Sequence, residues 1–138
     1  MTVLPEDRND VERLLRKAAE DVAVLRLTAA EPALASIACF HAQQAVEKMA
    51  KAALTLHGCT YLRNHDLGYL ASLLPEAHGP LRAALGAAAW LTLHATSARY
   101  GEGADARAAD VGAAVKAVAV VEAALAAMGL GLPEIPRG

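Results

Sequence analysis

Two groups of polar side chains hold most of the chemistry this chain could perform. His41, Gln44, Lys48 and Lys51 recur at steps of three and four residues, and Arg63, Asn64, His65 and Asp66 follow as an unbroken run. Lysine ammonium groups and an arginine fork meet phosphate oxygens, while glutamine and histidine offer hydrogen bonds to a base or a sugar. That combination is the chemistry of an anion or nucleotide pocket. The same residues also have structural readings. Glu47 and Lys51 stand at i,i+4, a pair that supports a helix by roughly 0.2–0.5 kcal/mol with no ligand. Asp66 suits the positive end of a following helix, with His65 as its brace. Spacing alone leaves both readings open, though Arg63 has no such structural role.

Other chemistries are weaker. His57, Cys59 and His65 fall within nine residues, but their spacing matches no zinc template, so no metal is expected. Ser36, Ser72 and Ser97 have no nucleophile motif around them, and Cys39 reads as a small core residue. No P-loop and no GxGxxG string is present, which excludes the usual strand-based phosphate sites. No catalytic residue is assigned.

The elements that position these groups read as helices. Apolar content is 55%, dominated by alanine and leucine, aromatics are 4%, and β-branched runs of strand length are missing. A first helix is carried by Val11, Leu14, Leu15, Ala18, Val22, Leu25 and Ala29, and Glu31-Pro32 ends it. A second begins near Ala33, runs through Leu34, Ile37, Ala38, Ala45, Met49, Ala52 and Leu56, and stops at Gly58. At about 100° per residue, Ala38, Ala45, Met49, Ala52 and Leu56 lie within roughly 0 to 60° of Leu34, whereas His41, Gln44, Lys48, Lys51 and Thr55 lie at roughly 260 to 340°. The polar stripe therefore borders the core stripe, where a groove between helices or subunits would be lined.

Residues 59–65 connect to a short helix over Leu67, Leu70, Ala71 and Leu74, capped by Asn64 or His65 and ended by Pro75. Gly79-Pro80 opens a fourth helix through Leu81, Leu85, Ala88, Leu91 and Ala95, and Gly101 and Gly103 mark the loop behind it. A last helix occupies about residues 107–128. It carries so little charge that it must be central or covered by another chain. The tail, residues 129–138, should be loose or drape over a neighbour. The expectation is all-α: an up-and-down antiparallel bundle of four long helices and one short one, a single domain over residues 1–138 with its core at about 8–128.

Thirteen basic against fifteen acidic side chains leave a net charge of −2, so nothing in the overall balance favours DNA or an acidic membrane surface. Lys116 and Glu122 argue against insertion of the most apolar stretch, Val111 to Met128. With two isolated cysteines and no signal-type leader, a cytoplasmic location is expected.

FHAQQAVEKMAKAAL at residues 40–54, RNHDL at 63–67 and LTLHATSARYGEG at 91–103 occur in that order. Together they resemble the HEPN domain over roughly residues 8–128. The matched positions are Phe40, Gln43, Gln44, Glu47, Lys48, Lys51, His65, Asp66, Arg99 and Tyr100, with Phe40 the clearest fold determinant. The resemblance implies a dimerising helical bundle, a homodimer here, that pairs with a small nucleotidyltransferase in a toxin–antitoxin-like arrangement. It also favours a nucleotide ligand such as ATP or GTP at His41, Gln44, Lys48, Lys51, Arg63, His65, Asp66 and Arg99. Many HEPN proteins are instead metal-independent ribonucleases with an Arg followed, after four to six residues, by His. Here Arg63 precedes His65 by two positions, Arg82 precedes His94 by twelve, and no histidine follows Arg99 or Arg107. That motif is absent. The chain also has Gly101 where the family pattern often places proline after the Arg-Tyr pair. Three readings follow: a non-catalytic nucleotide- or partner-binding module first, then a ribonuclease toxin using His65 with Arg63 or Arg99, then a purely structural dimeric interaction protein.

Overall fold

The computed structural model describes residues 5–95 and 106–135. Arg99, Tyr100 and the glycines after them lie outside the described residues. Helix α1 spans Pro5–Thr28, and Val11, Leu15, Ala18, Val22 and Leu25 form its buried stripe because three- and four-residue steps return to one helical face. Glu31 then adopts an extended conformation, φ −109° and ψ 105°, as expected of a residue preceding proline. A 3-10 turn at Pro32–Leu34 leads into α2, Ala35–Leu56, so the α form starts two residues beyond the expected Ala33. Gly58, at φ +67°, ends α2. Its N–H donates to Thr55 O and that of Cys59 to Leu54 O, which satisfies carbonyls left over at the helix end.

Helix α3 is Leu67–Ser72. Its N-cap is Asp66, whose Oδ1 accepts from the N–H groups of Gly68 at 2.9 Å and Tyr69 at 3.2 Å; this corrects the expected cap at Asn64 or His65. Asn64 serves one step earlier, its Oδ1 accepting from Asp66 N–H. After a 3-10 turn at Glu76–His78, α4 runs Gly79–Ala87. The sequence predicts one continuous helix to Ala95, but the chain tightens into a 3-10 segment at Ala89–His94. Ala88 N–H is shared between Ala84 O and Leu85 O, and i,i+3 winding beyond it turns Leu91 and His94 to the same buried side. Helix α5 spans Ala108–Ala127 and Gly129, at φ +85°, ends it.

The result is an all-α helical bundle without strands among the described residues. Its hub is α2. Helix α1 packs along α2, α5 packs on it as well, and α3 and the 3-10 segment at Ala89–His94 close the remaining side, with α4 packed on α3 and α5, while α1 and α5 barely meet. Ala38, Ala42, Ala45, Ala50, Ala52 and Ala53 of α2 are all fully buried; small side chains let several neighbours approach one helix at once. Of the two expectations for the last helix, central or covered by another chain, the first does not hold within this chain. Only Val111, Ala114, Val118, Val121 and Leu125 of α5 are buried, whereas Val120 is 56% exposed. Leu130 and Leu132 of the tail pack against the core of the same chain. No described helix is long and apolar enough to cross a membrane.

Candidate functional site

The polar residues of α2 divide into two clusters, each built around a buried carboxylate. In the first, Asp21 reaches across from α1 and is 7% exposed. Its Oδ1 faces His41 Nδ1 at 2.8 Å, and its Oδ2 accepts from Lys48 Nζ. In the second, Glu47 is 5% exposed; its Oε1 faces His65 Nδ1 at 2.7 Å and its Oε2 accepts from Lys51 Nζ at 3.0 Å. Gln43, fully buried, donates from Nε2 to Glu47 Oε1 at 3.0 Å and to the backbone oxygen of His65 at 3.2 Å. Gln44 donates to Gln43 Oε1 at 2.6 Å. Lys51 also lies over the Tyr61 ring, 5.7 Å from its centroid, within cation–π range.

Each cluster repeats one plan: a shielded carboxylate, one oxygen on a histidine and one on a lysine. Burying a carboxylate is costly unless it is paired and hydrogen-bonded, and these partners meet that cost. For Glu47, burial alone pushes the carboxyl up, but hydrogen bonds from Gln43, His65 and Lys51 and the charge of Lys51 outweigh it and hold the group below its ordinary value. The second cluster also fastens the connector to α2, since Gln43 and Glu47 together grip both the backbone and the ring of His65.

The two histidines are oriented by their carboxylates. A ring held at Nδ1 presents Nε2 as its second nitrogen, and neither His41 nor His65 uses Nε2 in a hydrogen bond among the described residues. His65 is half-exposed and His41 partly so. Each lysine Nζ carries three donors and gives one to its carboxylate. The edge of α2 thus has spare lysine donors held in place, which suit a phosphate or another polyoxygen anion, beside imidazole nitrogens that in the neutral ring accept a hydrogen bond.

Of the expected site residues, the structure brings Gln44, Lys51 and His65 into one network and His41 and Lys48 into the other. Asp66 is engaged as the cap of α3. Arg63 is exposed and makes no ion pair among the described residues, and Arg99 lies outside them. Asp21 was missed by sequence reasoning. Its signal was available: it lies between Ala18 and Leu25, on the core stripe of α1, where an acid needs a partner.

Elsewhere, the Cys39 thiol is pushed up to about 11 by burial and then by Asp110, which leaves it a poor nucleophile. The ring of His57 stacks on His78 with centroids 4.1 Å apart. His57 is held below its ordinary value by burial and then by His78. No group of three or more His, Cys, Asp or Glu among the described residues is arranged to hold a metal ion.

The family model described as HEPN domain matches residues 11–128. No curated protein and no solved structure matches the chain.

Proposed function

The chain belongs to the HEPN domain family, and from that premise we propose that it is a non-catalytic binding module. It takes a nucleotide such as ATP or GTP, or a nucleotide-bearing partner, along the edge of α2. It acts as a homodimer beside a small nucleotidyltransferase, in a toxin–antitoxin-like pair. The observation that carries the reading is the repeated array along the edge of α2, in which His41, Lys48, Lys51 and His65 are each held by a buried carboxylate and the two lysines keep donors to spare. A pre-oriented array loses little freedom when it meets an anion. Calorimetric titration with ATP, GTP and their monophosphates tests it. Saturable binding by the wild type, lost in the Lys48→Ala, Lys51→Ala double variant, is the expected result. No heat at millimolar ligand, with or without magnesium, would count against the site.

The homodimer is supported by the outward face of α5. Val115 and Val120 stand exposed on it, next to a cleft of about 330 Å³ between α1 and α5 whose floor is Val22, Leu25 and Val118 and whose lining includes Arg26 and Glu122. Sedimentation at micromolar concentration should give a dimer; a strictly monomeric protein would remove this part of the reading. A ribonuclease reading has no comparable support, because the chain lacks the Arg-x(4–6)-His spacing. RNA incubated with the purified protein should stay intact.

A further inference from the structure

A charge count on the α2 edge gives a result that the donor array does not suggest. The two lysines expected to attract phosphate are already neutralised: Lys48 by Asp21 and Lys51 by Glu47, both carboxylates at least nine-tenths buried. Each carboxylate engages two groups, one lysine and one histidine, through separate oxygens. Two oxygens of a phosphate would make the same pair of contacts. The remaining neighbours add little net charge: Gln43 and Gln44 are neutral, Tyr61 offers a ring face, and Arg63 and Asp66 at the corner have opposite signs.

We propose that Asp21 and Glu47 set the anion affinity of this face by standing in for phosphate. Each carboxylate holds the lysine and histidine in the geometry an anion needs while competing with that anion for them. Without ligand each lysine charge is already matched by one carboxylate, and a phosphate-bearing ligand enters by sharing or replacing carboxylate contacts. The ligand favoured is one with several adjacent phosphate groups, because the two clusters, His41/Lys48 on Asp21 and Lys51/His65 on Glu47, follow one another along one edge of α2 with Lys48 and Lys51 one turn apart. The inference rests on the anion-binding reading above and makes a claim that reading does not: removing an acid should strengthen binding.

The experiment is calorimetric titration of ATP, and separately of tripolyphosphate, into wild type, Asp21→Asn, Glu47→Gln and the Asp21→Asn, Lys48→Gln double variant. Thermal melts on each protein establish that it is folded. Neutralising one carboxylate near a partly exposed ligand should tighten binding about tenfold. The gain should disappear when Lys48→Gln is added. Should Asp21→Asn fail to fold, Glu47→Gln carries the same comparison, since its amide preserves the shape of the network. Wild type that binds while folded Asp21→Asn and Glu47→Gln bind equally or more weakly overturns the stand-in role and leaves the site intact. Absence of binding in all four proteins overturns the site itself. A gain for ATP but none for tripolyphosphate overturns the claim that phosphate is the group recognised.

Discussion

Helices α2 and α5 are alike in length, 22 and 20 residues, and both are rich in alanine, yet they occupy opposite roles. The helix with the histidines, lysines and glutamines is the buried hub, and the more apolar one sits at the edge with half its surface uncovered. Hydropathy did not decide which is central. What decided it was whether polar groups find partners: Gln43 and Glu47 can be buried because Lys51, His65 and Gln44 complete their hydrogen bonds, and Asp21 because His41 and Lys48 do. The alanines of α2 admit neighbours from several sides, whereas several of those on α5, such as Ala113, Ala119 and Ala123, are exposed among the described residues.

The contrast breaks most visibly by removing a charge from the hub. Glu47→Ala strands Lys51 and His65 beside a vacated site and should cost about 3–5 kcal/mol in urea unfolding; a loss comparable to an ordinary surface change would mean the network is ornamental. On α5 the corresponding large effect must come from packing alone. Leu125→Ala, on the buried stripe, should cost about 2–4 kcal/mol. A smaller effect follows acidification. Glu47 lies below its ordinary value of 4.5 in the fold, so its contribution is present at neutral pH and is lost as pH falls below 4.5 and through the folded value. Glu47→Gln should flatten that acid limb of stability, and an unchanged limb would assign it to other carboxylates.

His57 and His94 work in the same direction at higher pH. Burial, with His78 beside His57 and with Asp110 partly opposing at His94, holds both below the ordinary 6.5. The unfolded chain therefore takes up these protons first, and stability should begin to fall as pH drops below 6.5. Substituting both by Gln should remove most of that slope, read by urea unfolding across the window. The smallest effect on the monomer is expected at the outer face of α5: Val120→Lys should shift unfolding of the monomer by less than about 0.5 kcal/mol. If a second copy covers that face, the same substitution should nevertheless dissociate the dimer in sedimentation.

Much of the bundle was legible in the sequence because proline and glycine mark its ends. Glu31-Pro32, Gly58, Gly79-Pro80 and Gly129 bound helices as their backbone preferences require. The break at Ala87 was not legible, because alanines on both sides suit α and 3-10 winding alike and the choice rests on burying Leu91 with His94. The polar stripe of α2 was placed correctly beside the core, and the Glu47–Lys51 pair formed as spacing suggested. What spacing within one helix could not give was Asp21, which arrives from α1 and clamps His41 and Lys48. The role of α5 was hidden for a related reason: a helix apolar on nearly every side does not say which side is covered.

The central claim is that the α2 edge meets an anion while the histidines packed elsewhere do not. Imidazole NMR resonances followed during titration with ATP test it most directly. The account predicts that the rings of His41 and His65 shift together and saturate, with His57 and His94 unchanged. Shifts at His57 or His94 alone, or none at His41 and His65 at saturating ligand, would contradict it.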